Sequence, residues 1–153
     1  MRSIASTLFV VLAVAAGCGR PPAKPGTAAA AVDPKWAEDV GDLPFVVGLD
    51  AGGKAVSASG RPAMYYFTTT WCGYCKVLAQ TGFKDKDVVA KVTAGFTPIL
   101  LDGDDPANAQ LAGQFRVEGF PTVVFTDQSG AARETVVGAD VGKLKAALAR
   151  VAQ

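Results

Sequence analysis

Two cysteines, Cys72 and Cys75, are the side chains of this sequence best suited to covalent chemistry. They stand between a β-like stretch, residues 62–69, and a run that is typical of a helix. Cys72 would therefore lie at a helix N-terminus, where unpaired N–H groups and the helix dipole favour a thiolate. Cys75 would lie about one turn further in and be more buried. This arrangement predicts that Cys72 attacks a disulfide and that Cys75 resolves the mixed disulfide that forms.

Two other roles for the cysteine pair remain open. One is a structural disulfide, and the other is a two-coordinate Cu(I) site, since soft thiolates select that ion. A zinc site would need two further Cys or His ligands, and the chain has no histidine and only one more cysteine, Cys18. The redox role is favoured because bridging so short a loop gains little chain entropy. We predict no resident metal and no other cofactor.

The composition indicates one folded domain without affinity for nucleic acids. Of the 153 residues, 50% are hydrophobic, and 15 basic side chains balance 14 acidic ones. Residues 33–153 alternate strand-like and helix-like runs, which predicts an α/β domain. The predicted strands cover residues 43–49, 62–69, 96–101, 121–126 and 131–137, and a glycine-rich turn is predicted at 51–53. The predicted helices follow Cys75, cover residues 87–92, run from Asp105 to about Phe115, and begin after Asp140.

Two motifs resemble those of the thioredoxin superfamily. They are Trp71-Cys72-Gly73-Tyr74-Cys75-Lys76 and Phe120-Pro121-Thr122. The resemblance runs from about residue 62 to 151 and implies a thioredoxin fold, a central mixed β-sheet flanked by helices with the cysteines at the start of the first core helix. It also implies that Pro121 is cis and that the backbone of Phe120 pairs with a substrate strand. The substrate-binding residues that it implies are Trp71, Gly73, Tyr74, Phe120 and Pro121.

Three further segments narrow the resemblance. Residues 83–89, 101–106 and 117–122 are similar to the thioredoxin-like domains of bacterial cell-envelope disulfide-interchange proteins. The similarity is greatest to the electron-delivering C-terminal domain of the membrane reductant conductor. It implies an exported protein that passes electrons to disulfides in partner proteins.

One position departs from the thioredoxin pattern. Cytosolic thioredoxins have a buried Asp six residues before the first cysteine, where it assists proton transfer, and this chain has Tyr66 there. A phenol is a poor base at neutral pH. Another carboxylate would then have to carry the proton, or water would do so. Glu118 is the nearest candidate in the motif region.

Residues 1–17 resemble a lipoprotein-type signal peptide. Arg2 precedes an apolar run, residues 4–16, that is shorter than the roughly 20 residues needed to span a membrane. The run ends in Ala15-Ala16-Gly17-Cys18, similar to the bacterial lipobox, although Ala15 stands where Leu is usual. We therefore expect cleavage before Cys18 and acylation of its thiol, with an ordinary signal peptide as the alternative. Residues 18–32, rich in Pro and Ala, would form a tether.

These features together predict a membrane-anchored thiol–disulfide oxidoreductase of the cell envelope, facing the periplasm or the cell exterior. We expect a reductase that acts on protein disulfide substrates and is recharged by an upstream membrane thiol reductant. The missing histidine argues against the strongest oxidants. The Gly73-Tyr74 dipeptide resembles that of envelope isomerases, but the segment before the fold is too short for a dimerisation domain, and a monomer is expected. Isomerase, oxidase and Cu(I)-binding module remain the alternatives.

Overall fold

Five strands and five α-helices build the part of the chain that the computed structural model describes, residues 33–152. The strands are β1 (Val46–Val47), β2 (Ala63–Thr68), β3 (Thr97–Asp102), β4 (Thr122–Thr126) and β5 (Ala132–Val137). The helices are α1 (Leu49–Ser59), α2 (Gly73–Thr81), α3 (Lys86–Gly95), α4 (Ala109–Gln114) and α5 (Val141–Val151). The predicted signal peptide, Cys18 and the predicted tether lie outside the described residues.

The strands form one mixed sheet in the order β1-β3-β2-β4-β5. Strands β1, β3 and β2 run parallel, whereas β4 and β5 are antiparallel to their neighbours. Thr68 pairs with Asp102, and Phe67 pairs with Thr122. The ends of β2 and β3 and the start of β4 therefore meet at one edge of the sheet. The loops that leave this edge carry the cysteine pair and the predicted cis-proline.

Apolar side chains cover both faces of the central strands. Tyr66 and Leu100 belong to one hydrophobic cluster, while Phe67, Ile99 and Leu101 belong to a cluster on the other face. This separation follows from the two-residue period of a strand, which sends successive side chains to opposite faces. Strands β2 and β4 are also hydrogen-bonded to a neighbouring strand on each side. The centre of the sheet is therefore held by hydrogen bonds at the strand edges and by packing on both faces.

The mixed α/β thioredoxin fold and most of the predicted elements are confirmed. Strands were expected over residues 62–69 and 96–101 and are found as β2 and β3. Asp140 caps α5 by accepting the N–H of Lys143 at 3.0 Å. Asp105 accepts the N–H of Ala107 at 2.9 Å, but the helix that it begins opens as a 3-10 turn, Pro106–Asn108, before α4.

The glycine-rich turn predicted at residues 51–53 is wrong, and the strand predicted at 43–49 is shorter than expected. Only Val46–Val47 form β1, and residues 51–53 lie inside α1. Gly52 faces β3 so closely that a Cβ at this position would stand 2.6 Å from Cγ2 of Ile99. Gly52 thus allows α1 to pack closely on β3 and does not form a turn. Because glycines disfavour a helix, the helical conformation of residues 51–53 depends on this tertiary contact.

An N-terminal strap, residues 33–45, packs against the fold before β1. Its apolar side chains are buried in the same cluster as Tyr66 and Cys75; they are Trp36, Val40, Leu43 and Phe45. Asp33 caps a 3-10 turn, Pro34–Trp36, at the start of the strap. Gly41 adopts φ +55° where a Cβ would stand 2.5 Å from the carbonyl oxygen of Ala79. The strap is therefore an integral layer over α2.

The adjacent glycines of α1 give a matched test of its packing. Gly52→Ala should destabilise the protein by about 1 kcal/mol or more, because overpacking against the buried Ile99 outweighs the gain in helix propensity. Gly53→Ala places its methyl group in open space and should raise the free energy of unfolding by up to about 1 kcal/mol. Urea unfolding of both variants measures the difference. Equal effects of the two substitutions would contradict the close approach of α1 to β3.

Candidate active site

Cys72 and Cys75 form a disulfide at the start of α2, with their Cα atoms 5.3 Å apart. Cys72 is the N-cap residue of the helix, and its Sγ accepts the backbone N–H of Cys75 at 3.1 Å. Its own N–H donates to the carbonyl of Thr69 at 3.1 Å, which ties the loop back to the end of β2. A negative charge on Cys72 would therefore face a backbone donor and the positive end of the helix dipole.

The two sulfur-bearing residues differ slightly in exposure. Cys75 is fully buried, whereas 4% of Cys72 remains accessible in the disulfide form. The order of exposure is the one expected for an attacking and a resolving cysteine. A partner must therefore approach Cys72 along the surface that surrounds it.

That surface is built from exposed apolar side chains. Trp71 and Tyr74 are 68% and 73% exposed, and Val77, one turn further along α2, is 49% exposed. The indole N–H of Trp71 donates to Asp104 at 2.7 Å, and its ring meets the ring of Phe120 edge to face at 6.2 Å. Exposed aromatic groups that are held in place are typical of binding surfaces.

The peptide bond between Phe120 and Pro121 is cis, as the sequence predicts. The Phe120 ring lies over Gly103, where a Cβ would stand 2.1 Å from the ring. Through Phe120 the loop before β4 thus reaches both Trp71 and the loop after β3. The structure therefore brings the cysteines, Trp71 and the cis-proline loop to one edge of the sheet. Gly73, the first residue of α2, is exposed, as is Tyr74.

Tyr66, at the position where thioredoxins have a buried Asp, directs its hydroxyl at Cys75. Its hydroxyl donates to the backbone carbonyl of Cys75 at 3.3 Å, and its ring packs edge to face on Phe83. Burial raises the pKa of Tyr66 well above its ordinary value, and the charge of Asp39 raises it further. Tyr66 therefore stays protonated and acts here as a donor.

Asp39 is a functional candidate that the sequence reasoning missed. Only 1% of this residue of the strap is exposed, and its Oδ1 accepts a long hydrogen bond, 3.4 Å, from Thr68. Burial raises the pKa of the Asp39 carboxyl, while the charge of Lys76 and the Thr68 hydroxyl partly offset that effect. The apolar spacing of Trp36, Val40 and Leu43 could have indicated that this segment is buried.

Glu118 does not join this arrangement. It is exposed in the loop between α4 and β4, and within residues 33–152 no hydrogen bond or ion pair links it to either cysteine. Its predicted part in proton transfer therefore stays a prediction, without a contact that favours it.

The described residues contain neither a clustered set of metal ligands nor a membrane-spanning helix. Among residues 33–152 there is no group of three or more Cys, Asp or Glu side chains placed to hold a metal ion. No helix in that part of the chain is long and apolar enough to cross a bilayer.

Comparison with known proteins agrees with this geometry. Residues 49–152 match the family described as thioredoxin-like domain, and the chain belongs to that family. It is 34% identical over 95 residues to a thioredoxin of Malassezia sympodialis, covering 62% of this chain and 86% of that protein. It is 33% identical over 87 residues to protein disulfide-isomerase erp38 of Neurospora crassa, covering 56% of this chain but 23% of that longer protein. With its cysteine pair, the chain is a thiol–disulfide oxidoreductase.

Solved structures show the same fold. A thioredoxin from Thermus thermophilus superposes with a TM-score of 0.61 at 26% identity, covering 72% of this chain and 88% of that one. A structure named DsbH Oxidoreductase gives a TM-score of 0.54 at 22% identity, covering 72% and 88%. The strap precedes the matched family region, which begins at residue 49.

The buried carboxyl of Asp39 predicts a pH-dependent stability difference. Its pKa in the folded protein is raised above the ordinary value of 3.8, so its contribution is fully present below that pH and is lost as pH rises through the folded pKa. Asp39→Asn should therefore raise the free energy of unfolding of the oxidised protein at neutral pH and make little difference at pH values below 3.8. Urea unfolding at both pH values measures this effect.

Asp42→Asn is the matched control, because Asp42 belongs to the same strap but is exposed. A loss of stability at neutral pH in Asp39→Asn would contradict the dominance of burial over the attraction of Lys76.

Proposed function

We propose that this protein is a membrane-anchored reductase that acts outside the cytoplasm on disulfides in partner proteins. The observation that carries the redox part is the placement of Cys72 Sγ at the N-terminus of α2, where it accepts the Cys75 N–H at 3.1 Å. A thiolate is the attacking species in disulfide exchange, and this placement stabilises it. The catalytic cysteines are therefore Cys72 and Cys75.

The reaction runs in two exchanges. The Cys72 thiolate attacks one sulfur of the substrate disulfide, the substrate bond breaks, and the other substrate sulfur leaves as a thiolate that takes up a proton. Cys75 then loses its proton and attacks Cys72 Sγ, which expels the first substrate sulfur. The substrate gains two electrons, and the cysteine pair ends as the disulfide seen in the structure. An upstream thiol reductant must return it to the dithiol.

The substrate would dock on the surface around Cys72. The residues predicted to bind it are Trp71, Gly73 and Tyr74, which are exposed, Phe120, which is half-buried, and Pro121, which is buried directly before β4. Exposed aromatic rings supply apolar contact area, and the backbone of Phe120, beside the cis bond to Pro121, is expected to pair with a substrate strand. Binding through backbone and aromatic faces would accept many sequences near a disulfide.

The reducing direction is supported by the surroundings of the cysteines and by the relatives. Gly73 and Tyr74 place no cationic group between the sulfurs, and the chain has no histidine that could hold the Cys72 thiolate as strong oxidants do. The relative from Malassezia sympodialis is named a thioredoxin, and the match covers 86% of its length. We therefore favour a monomeric thioredoxin-like reductase over an isomerase.

The location outside the cytoplasm rests on the sequence before residue 33. The apolar run at residues 4–16, the small residues before Cys18 and the Pro- and Ala-rich segment that follows are typical of an exported, acylated protein. Acyl chains on Cys18 would hold the protein on the membrane, since its balanced charge gives no basic patch for anionic lipid.

Insulin reduction by dithiothreitol tests the activity. The wild-type protein should accelerate the precipitation of the insulin B chain, because the Cys72 thiolate attacks the insulin disulfides. Cys72→Ser should lower the rate to that of dithiothreitol alone. Cys75→Ser should trap a mixed disulfide on Cys72 that mass spectrometry can identify.

Equal rates for wild type and Cys72→Ser would end the redox interpretation. The direction has its own test, the equilibrium of the cysteine pair with a glutathione redox buffer. A potential close to that of thioredoxins, about −270 mV, is expected, and a value near about −120 mV, typical of strong oxidants, would contradict the reducing role.

Incorporation of labelled palmitate in a bacterial host tests the anchor. The wild-type chain should take up label and sediment with membranes, and Cys18→Ala should do neither, because it lacks the thiol that is acylated. The Cys72→Ser variant serves as a control for acylation of the wrong cysteine and should label normally. Label that persists in Cys18→Ala would show that the attachment site is wrong.

A further inference from the structure

Asp39 is the one acidic side chain that is buried among residues 33–152. Its neighbour in the strap, Glu38, is exposed and forms an ion pair with Lys76 at 2.6 Å. Asp39 therefore does not share in that salt bridge and is left in the interior with Thr68 as its hydrogen-bond partner. A buried carboxyl with so little support costs stability, which indicates a role other than stability.

Hydrogen bonds and charge interactions connect Asp39 with residues that contact Cys75 or adjoin it in sequence. On β2, the Thr68 hydroxyl donates to the Asp39 carboxyl, and the negative charge of Asp39 raises the pKa of Tyr66. Tyr66 in turn donates to the carbonyl of Cys75 at 3.3 Å. From α2, Lys76, the residue after Cys75, is the cation that attracts the Asp39 carboxylate. The residue after Asp39, Val40, packs in the same hydrophobic cluster as Tyr66 and Cys75.

Resolution of a mixed disulfide makes a specific demand at this place. Cys75 is fully buried, yet it must lose a proton before it can attack Cys72. Release of the proton to solvent would leave two buried negative charges, a Cys75 thiolate and the Asp39 carboxylate, in residues that both interact with Tyr66. Transfer of the proton to Asp39 keeps the net charge of the interior constant, which avoids most of that cost.

We propose that Asp39 is the proton acceptor for the Cys75 thiol when Cys75 resolves the mixed disulfide on Cys72. The Cys75 S–H bond breaks, the proton passes to the Asp39 carboxylate, and the new Cys72–Cys75 bond forms as the substrate sulfur leaves with its electron pair. Reduction of the pair returns the proton from Asp39 to Cys75. The proposal deepens the proposed function and rests on it.

The other groups near Cys75 are unsuited to this task. Tyr66 stays protonated because burial and the charge of Asp39 raise its pKa, and its hydroxyl already donates to Cys75. Lys76 is a cation held by Glu38 and has no free electron pair to accept a proton. Glu118 is exposed in a loop beyond α4. A residue of the strap thus replaces, from a different element, the acid that is missing at position 66.

A chromophoric aromatic disulfide, 5,5′-dithiobis(2-nitrobenzoate), separates the two exchanges. Attack by Cys72 releases one coloured thiolate, and resolution by Cys75 releases the second. The full chain in detergent carries Cys18→Ser in every sample, so that Cys72 and Cys75 are its only thiols. Stopped-flow absorbance then records a first and a second phase for the reduced protein across a range of pH.

Asp39→Asn should leave the first phase unchanged and slow the second about 100-fold at neutral pH, the lower end of the effect of general base catalysis. Its second phase should rise in proportion to hydroxide concentration, whereas that of the wild type should level off above the pKa of the buried pair. Asp42→Asn, an exposed carboxylate of the same strap, should match the wild type in both phases.

Thr68→Val provides a second, independent variant. It removes the hydroxyl that stabilises the ionised Asp39, so it should move the midpoint of the second-phase pH profile to higher pH. A variant that merely disturbs packing would slow both phases without moving this midpoint. If Asp39→Asn fails to fold, the second-phase midpoint of Thr68→Val tests the proposal in its place.

Two results would overturn the proposal while leaving the proposed function intact. They are a second phase in Asp39→Asn that equals that of Asp42→Asn, and a second-phase midpoint that is unmoved in Thr68→Val. Absence of both phases in the wild-type protein would instead overturn the proposed function, and this proposal with it.

Discussion

The contact between the Cys72 sulfur and the first turn of α2 is the interaction on which the site depends. It requires that the chain leave β2 and enter a helix within four residues, with the Cys72 sulfur directed at a backbone N–H. Strand β2 supplies the rigidity, since it is hydrogen-bonded to β3 on one side and β4 on the other and is buried on both faces. The same pairing holds the loop before β4 beside the sulfurs. The rest of the domain can be understood as support for the start of α2 and its cysteine pair.

The strap completes that support from outside the family region. Its exposed ion pairs, such as Lys76 with Glu38, contribute little because water screens them. Its hold on the domain comes from apolar burial, which is worth about 1.5–3 kcal/mol for a large side chain such as Trp36 or Phe45. A segment held so firmly can keep a carboxyl in the interior against its cost. This is how the chain can have Tyr66 on β2 and still keep an acid, Asp39, in the interior.

The sequence could predict those parts of the structure that depend on neighbouring residues. The cysteine pair, the helix that it begins and the cap at Asp140 are local patterns, and the cis bond before Pro121 followed from a pair of motifs. Gly52 could not be understood locally, because the reason for a glycine there is Ile99 on a strand far along the chain. Asp39 and Glu38 are adjacent and of the same charge. The apolar spacing of Trp36, Val40 and Leu43 indicates that the segment is buried, but which of the two carboxylates is enclosed depends on how the strap packs against α2.

The two tryptophans of the chain sit in opposite environments. Trp36 is enclosed within the strap and 2% exposed, whereas Trp71 stands beside the disulfide and is 68% exposed. Their indole emission is consequently of two kinds, blue-shifted from the interior and red-shifted from the surface. Detachment of the strap changes the emission of Trp36, and a partner that covers the surface around Cys72 changes the emission of Trp71. The protein thus carries separate built-in optical probes for its folding and for its encounters.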